Sequence, residues 1–483
     1  MGNKNIPVSS NIEEYLSAVY DKDWFNAYKE YITGDHSETI RVNDLRISPE
    51  KLGERLLRDY KIETTPLDGI GNALRLEDPS NLAGKTLEHI MGLYYIQSLS
   101  SMIPPLVLDP QPTEQVLDMC SAPGSKSTML SQMMRNRGTL ICNEADYERA
   151  KSLIFNIDRT HSLNAAVTNY KGEQLPHYFY SSFDKVLVDA PCSGLGILHK
   201  KGEVSKWWNR NRMEALAETQ YKLLVSAVKC CKPGGIIVYS TCTLTLEENE
   251  KVVDRILKRY PVEVLPFELP VASENGFTVY GEEALSPALA QSQRMIPWQI
   301  NSEGFFVVKL RKTGEFENPL VKEEKLERIE FTPVNRIKKN FQILEDYFGI
   351  PTDEFLKYKY MFRSGDYYFL NDDFTGAHLP KILKAGSKLG AEDKYGNFIL
   401  SSAAAQFFGS SITKNIIEIN NLHDLTVYMQ GLSFKVPEEF KGYRAVKYKG
   451  FVLGTAAVSE GKAKSRFPRS FRTQRIQFPD DVA

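Results

Sequence analysis

Short apolar runs alternate with glycine-bearing turns and helical segments through the middle of the chain. The runs at 185–188 and 235–238 are nearly continuous in apolar residues, which is typical of parallel strands buried on both faces. Further strands are predicted at 115–119 and 165–168, and a last one at 304–310 closes the sheet. This repeating order of strand, turn, helix and strand predicts a doubly wound α/β sheet.

The region before this sheet mixes helical and strand patterns. Helical periodicity covers 11–33 and 49–60, and a short strand is predicted at 39–43. We also predict one amphipathic helix over 87–106, ended by the prolines at 104 and 105. Together these elements predict an accessory α+β domain.

A charged stretch at 315–330 follows the sheet, and we interpret it as a linker. Beyond it we predict a helix at 333–348 and a strand at 366–370. Strands predicted at 427–435 and 444–454 indicate a small β-rich module. The predicted division of the chain is an accessory domain (1–109), a sheet domain (110–312), a linker (313–330) and a C-terminal region (331–483).

Composition places the chain among ordinary soluble globular proteins. It has 483 residues, of which 42% are hydrophobic and 25% are charged, and no apolar run is long enough to span a bilayer. The start of the sequence lacks the apolar core of a signal peptide, so we expect a cytoplasmic protein that does not bind membranes. Oligomeric state cannot be inferred from the sequence.

Charge is balanced overall but uneven along the chain. The formal net charge is -1, whereas the stretch 442–476 contains a single acid, Glu460. Such a local excess of positive charge suits a polyphosphate backbone and indicates nucleic-acid binding. The basic residues of the stretch are Arg444, Lys447, Lys449, Lys462, Lys464, Arg466, Arg469, Arg472 and Arg475.

Two of the six cysteines each follow a predicted strand end. Cys192 comes after the run Asp189, Ala190 and Pro191, and Cys242 follows the strand at 235–238. Ligands bind beyond the carboxyl ends of strands in open α/β sheets, so both thiols are expected in one crevice. Thiolates serve as nucleophiles, although a pair of buried structural cysteines is the alternative. Their small, hydroxyl and acidic neighbours favour a functional site.

The cysteines and histidines are not arranged as a metal site. No CxxC spacing occurs, and the seven histidines are scattered singly. A zinc site is therefore not expected.

The first strand leads into a loop of small residues that suits a nucleoside cofactor. A helix predicted at 127–134 follows this loop and would present free N–H groups to a ligand. Glu144 lies about twenty residues beyond the loop, where a carboxylate commonly accepts hydrogen bonds from a ribose. A solvated acid at a strand end is the alternative for Glu144. The loop consists of Cys120, Ser121, Ala122, Pro123, Gly124, Ser125 and Lys126.

Three segments together resemble the RNA cytosine-5 methyltransferases of the Nol1/Nop/Sun family: 118–126, 189–194 and 240–243. The segments 41–43 and 95–97 are also similar to that family, and 450–469 resembles a PUA-like RNA-binding end. The resemblance covers nearly the whole chain. It implies a Rossmann-like methyltransferase sheet that binds S-adenosylmethionine, with an N-terminal α+β domain and a C-terminal PUA-like module.

The resemblance also implies a role for each site residue. Cys242 would be the nucleophile, Cys192 would assist release of the product, and Asp189 would lie near both cofactor and target base. The loop 120–126 and Glu144 would hold the methionine and ribose parts of S-adenosylmethionine. One position departs from the family, because Lys171 stands before Gly172 where an Asp is usual. Either a neighbour such as Asn169 substitutes for it, or the cofactor binds more weakly.

The implied reaction is methylation of carbon 5 of cytosine in 16S ribosomal RNA, within the small ribosomal subunit, through a covalent cysteine adduct. The target base must be unstacked, which favours single-stranded or locally opened RNA. Transfer RNA is an alternative substrate, and a non-catalytic ribosome assembly factor is an alternative function. A nucleotide-dependent oxidoreductase is disfavoured because the loop is not G-x-G-x-x-G.

Overall fold

The structure is a computed structural model that describes residues 6–315, 327–375, 378–379, 382–472 and 476–479. Most of the predicted linker, and Arg475 of the basic stretch, lie outside the described residues. No helix in the described ranges combines the length and the apolar character needed to cross a bilayer.

The N-terminal region has helices followed by a small antiparallel sheet, with strand order β2-β3-β1-β4. The elements are α1 (Ser10–Val19), α2 (Lys22–Thr33), β1 (Thr39–Val42), α3 (Pro49–Tyr60), β2 (Glu63–Pro66), β3 (Ala73–Glu77), α4 (Leu87–Ile90) and β4 (Tyr94–Ile96). The expected helices and the strand near residue 40 are therefore present.

The prediction of a single helix over 87–106 is wrong. Its middle is strand β4, which pairs with β1 so that Ile96 faces Ile40 in the register. Gly92 interrupts the helix with a φ of +68°, and a Cβ there would lie 1.9 Å from the carbonyl oxygen of Arg159. A second helix begins only at Leu99 and contains both prolines. Pairing with a distant strand thus overrides the local helical pattern.

The central sheet has ten strands, and its core is parallel as predicted. The strand order is β11-β14-β15-β9-β8-β5-β6-β7-β21, with β10 beside β15. The strands are β5 (Gln115–Asp118), β6 (Thr139–Asn143), β7 (Ala165–Thr168), β8 (Phe183–Asp189), β9 (Cys231–Thr241), β10 (Val262–Leu265), β11 (Glu274–Asn275), β12 (Val279–Tyr280), β13 (Glu283–Ala284), β14 (Gln293–Met295) and β15 (Phe305–Lys312), where β12 and β13 form a separate hairpin. The helices are α5 (Leu99–Leu108), α6 (Ser125–Met133), α7 (Tyr147–Thr160), α8 (Pro176–Phe179), α9 (Val204–Trp207), α10 (Arg210–Cys230), α11 (Glu250–Leu257) and α12 (Pro297–Ile300).

The C-terminal region contains two further five-stranded sheets. One has the order β17-β18-β19-β22-β23 and the other β24-β26-β27-β28-β25. The strands are β16 (Glu327–Arg328), β17 (Phe331–Thr332), β18 (Tyr358–Arg363), β19 (Asp366–Asn371), β20 (His378–Leu379), β21 (Ile382–Ala385), β22 (Ser387–Glu392), β23 (Phe398–Leu400), β24 (Ile416–Ile419), β25 (Ser433–Lys435), β26 (Gly442–Tyr448), β27 (Phe451–Ser459) and β28 (Lys462–Ser465). The helices are α13 (Val334–Phe348), α14 (Thr352–Phe355), α15 (Ser402–Phe407) and α16 (Leu422–Met429).

The prediction of a strand at 427–435 is wrong for the first half of that segment. Helix α16 occupies that part because Leu425, Tyr428 and Met429 bury one face at helical spacing. The Asn421 side chain caps this helix by accepting a hydrogen bond from the Asp424 N–H. Only β25 at the end of the segment is a strand, and the segment at 444–454 forms the hairpin of β26 and β27.

The C-terminal region packs on both earlier regions of the chain. Strand β21 pairs with β7 and extends the central sheet at its edge. Farther along, the last sheet and the N-terminal sheet share one apolar core. Its members include Ile40, Leu56 and Leu74 from the first region and Val446 and Phe467 from the last. Deleting the end of the chain would therefore expose the core of the N-terminal region.

A buried ion pair joins helix α11 to strand β14 of the central sheet. Arg294 Nε donates to Glu250 Oε1 at 2.6 Å, and both side chains are at most 3% exposed. Arg294 also donates to the Tyr20 hydroxyl at 2.6 Å and to the Leu244 carbonyl at 3.1 Å. Removing one partner would leave an uncompensated charge in the interior.

We expect Arg294→Ala to lower the free energy of unfolding by about 3–5 kcal/mol, because Glu250 is then buried without its partner. The matched control is Arg311→Ala, whose 2.7 Å hydrogen bond to Glu263 joins side chains that are 47% and 46% exposed. That control should cost less than about 1 kcal/mol. Urea unfolding followed by tryptophan fluorescence suits the test because Trp24 stacks on Tyr20 at 3.9 Å. Equal losses in the two variants would contradict the role of the buried pair.

Candidate active site

The two cysteines that follow strand ends meet in one crevice. Strands β8 and β9 are adjacent and parallel, with Asp189 opposite Ser240 in the register. The segments that leave these strands therefore emerge side by side. Cys192 Sγ and Cys242 Sγ lie 3.2 Å apart, and both residues are half-buried.

A buried carboxylate beneath the thiols ties the two cysteine-bearing loops together. Glu248 is fully buried and accepts hydrogen bonds from Ser193 N at 2.8 Å, Gln220 Nε2 at 2.9 Å and Thr245 Oγ1 at 2.8 Å. The Ser193 hydroxyl also bonds to Glu248 and lies 2.9 Å from Thr243 Oγ1. Burial raises the pKa of Glu248, although these donors act against that effect. The carboxylate thus fixes the position of both loops.

The neighbouring Asn249 holds the loop of the second cysteine from both sides. Its Oδ1 accepts from Thr241 Oγ1 at 2.6 Å, and its Nδ2 donates to the Thr243 carbonyl at 3.1 Å. These two threonines flank Cys242 in the sequence. The amide side chain therefore restricts the backbone that carries the Cys242 thiol.

Backbone contacts also support the same loop. Gly196 N donates to the Cys242 carbonyl at 3.0 Å, and Gly304 N donates to the Gly196 carbonyl at 3.0 Å. A Cβ at position 196 would lie 2.0 Å from the Gly304 oxygen. Only glycine permits this close approach of the three segments.

An ion pair lies beside the thiols at the end of β8. Lys126 Nζ donates to Asp189 Oδ2 at 2.8 Å and to Ser101 Oγ at 3.0 Å, while Ser240 Oγ donates to Asp189 Oδ1 at 2.9 Å. Burial acts to lower the pKa of Lys126, but the Asp189 carboxylate outweighs it and the net pKa is raised. The crevice therefore contains a protonated amine, which also interacts electrostatically with Cys242.

The predicted cofactor loop and Glu144 are in direct contact. Glu144 is buried, and its Oε2 accepts from Ala122 N at 3.3 Å. Arg149 Nη2 donates to the Ala122 carbonyl at 2.8 Å, and its guanidinium lies 3.6 Å from Glu144. Gly124 has a φ of +108° and immediately precedes helix α6, which begins at Ser125. Glu144 is therefore part of the loop's surroundings and not a solvated acid at a strand end.

Asp118, at the end of β5, was not expected as a site residue. Ser127 Oγ donates to its Oδ2 at 2.7 Å, whereas its buried Oδ1 has no hydrogen-bond partner within the described residues. Burial raises the pKa of Asp118 to about 7. Burial also raises the pKa of the nearby Cys120 thiol, with a further contribution from the Asp118 charge. The feature of the sequence that could have identified Asp118 is its position at the end of a predicted strand.

Arg41 of the N-terminal sheet reaches the helix that follows the cofactor loop. Its guanidinium donates to the Ser125 carbonyl at 2.7 Å, to Gln97 Oε1 at 2.6 Å and to Thr128 Oγ1 at 2.8 Å. Burial lowers the pKa of Arg41 to about 9. The N-terminal region thus supports the loop through a charged side chain.

The position that departs from the family pattern is exposed. Lys171 lies at the surface, whereas the nearby Asn169 Nδ2 donates to the Glu144 carbonyl at 2.7 Å and to the Ala145 carbonyl at 3.0 Å. Asn169 therefore contacts the backbone at the predicted ribose-binding acid. Within the parts of the chain that the structure describes, no three His, Cys, Asp or Glu side chains are grouped as metal ligands would be.

Comparisons with known proteins place the chain in a family. A model described as 16S rRNA methyltransferase RsmB/F matches residues 105–311, and one described as Methyltransferase RsmF PUA domain matches residues 415–473. The ribosomal RNA small subunit methyltransferase F of Shewanella piezotolerans is 31% identical over 462 residues, which cover 91% of each chain. A human 28S rRNA (cytosine(4447)-C(5))-methyltransferase is 36% identical over 305 residues, 62% of this chain and 36% of that protein.

A solved structure agrees with this assignment. The crystal structure of a methyltransferase homologue from Pyrococcus horikoshii is 32% identical and has a TM-score of 0.56, covering 62% of this chain and 93% of that one. The predicted methyltransferase fold with a C-terminal PUA module, and the predicted enzyme class of RNA cytosine-C5 methyltransferase, are confirmed. Because the Shewanella piezotolerans relative is 31% identical and matches 91% of this chain, the chain belongs to the RsmB/F family of 16S rRNA methyltransferases.

Proposed function

We propose that the chain methylates carbon 5 of a cytosine in 16S ribosomal RNA, with S-adenosylmethionine as methyl donor and a covalent cysteine adduct as intermediate. The observation that carries the proposal is the pair of thiols 3.2 Å apart beside the Lys126–Asp189 ion pair. The names of the relatives, a small-subunit rRNA methyltransferase and an rRNA C5-methyltransferase, support the substrate and the methylated atom.

The surroundings of the loop 120–126 fit S-adenosylmethionine. Asp118 Oδ1, which has no hydrogen-bond partner in the described part of the chain, is a buried acceptor that calls for a donor, and Glu144 lies against the loop backbone. Gly124 and the start of α6 bring backbone N–H groups to the same place. We assign the cofactor to the loop, Glu144 and Asp189, with Asn169 supporting the ribose side. S-adenosylmethionine supplies an electrophilic methyl group when bound.

Carbon 5 of cytosine needs covalent assistance because it is a weak nucleophile. A thiolate at Cys242 adds to carbon 6 of the ring, which places electron density on carbon 5. After carbon 5 has been methylated, loss of its proton and expulsion of the Cys242 thiolate restore the aromatic ring. The same thiolate thus begins and ends the reaction.

The contacts of the two thiols support different roles for them. The hydrogen bond with Cys242, and then burial, raise the pKa of Cys192 well above its usual range. A protonated Cys192 can donate its S–H to the departing Cys242 thiolate across the 3.2 Å separation, and the Cys192 thiolate left behind can take up the carbon 5 proton. We therefore assign the nucleophile to Cys242 and proton transfer during product release to Cys192.

Asp189 is held so that it can contact the polar edge of the target base. Lys126 and Ser240 bind its two oxygens separately, which fixes the plane of the carboxyl group. The Lys126 ammonium offsets negative charge that the ring gains when the thiolate adds. Asp189 thereby orients the cytosine, and Lys126 stabilises the adduct electrostatically.

The first prediction concerns the reaction and its substrate. We expect the protein to transfer labelled methyl groups from S-adenosylmethionine to naked 16S rRNA or to small ribosomal subunits, and Cys242→Ala to reduce transfer at least about 1,000-fold. Cys230→Ala, at the end of α10 and away from the crevice, is the control and should retain activity.

Three other outcomes would contradict the proposal in different ways. Label only in transfer RNA would keep the chemistry and change the substrate. Methyl transfer by the Cys242→Ala variant would reject the assignment of Cys242 as the nucleophile. No transfer to any RNA by a protein that still binds S-adenosylmethionine would favour the assembly-factor alternative.

The second prediction concerns the basic residues of the PUA module. Lys462 and Lys464 are both exposed on β28, where they alternate with buried residues and so share one face. Replacing both by Glu should weaken binding to 16S rRNA and lower the slope of log affinity against log salt by about one per lost phosphate contact. Affinity for S-adenosylmethionine should not change.

Point variants are preferable to truncation here, because the last sheet contributes to the core of the N-terminal region. The control is the same charge reversal at Lys338 and Lys339, which are exposed on α13. An unchanged salt slope in the Lys462 and Lys464 variant, or an equal change in the control, would reject this RNA contact.

A further inference from the structure

We propose that a cavity beside the catalytic crevice binds the base of an unpaired nucleotide next to the target cytosine. The proposal deepens the proposed function and rests on it. The cavity has a volume of about 380 Å³, which is within the usual range for small-ligand sites. It lies between the end of α2, the loop that follows Cys192 and the loop that precedes β15.

The walls of the cavity are continuous with the catalytic loops. Glu303 lines the cavity and is followed by Gly304, whose N–H bonds to the Gly196 carbonyl, and Gly196 in turn bonds to the Cys242 carbonyl. On another wall, Ser98 immediately precedes helix α5, which places Ser101 against Lys126. A nucleotide in the cavity would therefore lie near the base held between the thiols and Asp189.

Three rings line the cavity and pack on one another, with Tyr31 and His36 half-buried and His199 buried. The ring centroids of Tyr31 and His36 are 4.4 Å apart, those of His36 and His199 are 4.4 Å apart, and those of Tyr31 and His199 are 5.4 Å apart. Proteins that bind unpaired RNA commonly stack bases on such aromatic and imidazole side chains. Tyr31 and His36 belong to the end of α2 and the loop after it, whereas His199 belongs to the loop that follows Cys192, and all three line the cavity.

Charged groups in the same cavity match the polar parts of a nucleotide. Glu303 accepts hydrogen bonds from Ser98 Oγ at 2.8 Å and from Lys200 Nζ at 2.9 Å. Burial acts to raise the pKa of Glu303, but Lys200 outweighs it and the net pKa is lowered, so the group is a carboxylate. A carboxylate accepts from the exocyclic amino groups of adenine, cytosine and guanine, and the half-exposed Lys200 can contact a phosphate.

The alternative is that the rings only pack the first helices against the catalytic domain. Under that alternative, changes to the RNA beside the target would not interact with changes to the rings. If a flanking base stacks on the rings, the two changes are not independent. Removing the base already removes the stacking interaction, so removing the ring as well should have little further effect. A double-mutant cycle between protein and RNA distinguishes the two.

The test first maps the cytosine that the wild-type protein methylates in 16S rRNA by bisulfite sequencing. Short RNAs spanning that cytosine are then made with an abasic nucleotide at either neighbouring position. We expect one abasic position to lower kcat/KM of the wild type roughly 5- to 100-fold, the range that corresponds to loss of one stacked base. His36→Ala should cause a similar loss on intact RNA and little further loss on that abasic RNA.

Two variants control for disturbance of the fold. His36→Phe retains a stacking surface and should keep most of the wild-type kcat/KM, whereas His423→Ala changes an exposed histidine on α16 and should behave as the wild type. Two results would overturn the inference while leaving the proposed function intact. One is that the losses from His36→Ala and from the abasic RNA multiply when the two are combined. The other is that the wild type is insensitive to both abasic positions. A wild type that methylates no rRNA would instead overturn the proposed function, and the inference with it.

Discussion

The buried Glu248 carboxylate is the interaction on which the geometry of the crevice depends. Parallel pairing of β8 with β9 brings two strand ends together, but strand pairing alone does not fix the loops that follow them. Glu248 accepts bonds from Ser193 in one loop and from Thr245 beyond the other, and Asn249 binds both threonines that flank Cys242. A carboxylate removed from water and satisfied by several donors is costly to displace, so the separation of the thiols is built into the interior of the domain.

The regions on either side of the methyltransferase sheet support the site from outside. Arg41 reaches from the N-terminal sheet to the helix after the cofactor loop. Arg294 on β14 pairs with Glu250 and also donates to the hydroxyl of Tyr20, which follows α1. The PUA module shares its core with the N-terminal sheet, and β21 extends the central sheet. The PUA module and the methyltransferase sheet are thus both joined to the rest of the chain by buried contacts.

Sequence periodicity predicted the elements correctly where the local pattern and the tertiary context agree. The parallel strands ending at Asp189 and Thr241 followed from continuous apolar runs, and their ends indicated the crevice. The pattern failed at Tyr94–Ile96, where pairing with β1 overrides helical periodicity, and at α16, where a short helix was interpreted as a strand. Glu248 and Glu250 lie just before and at the start of α11, yet both are fully buried. Apart from Thr245, the partners of these two side chains are distant in sequence, which no local pattern reveals.

The central claim is that the two thiols, although only 3.2 Å apart, have different roles. The most direct measurement is the denaturant-resistant complex formed between the protein and 16S rRNA in the presence of S-adenosylmethionine. Cys192→Ala should accumulate this complex, because Cys242 can still add to the base but release is slowed, whereas Cys242→Ala should form none. Complex formation by Cys242→Ala but not by Cys192→Ala would contradict the account by reversing the two roles.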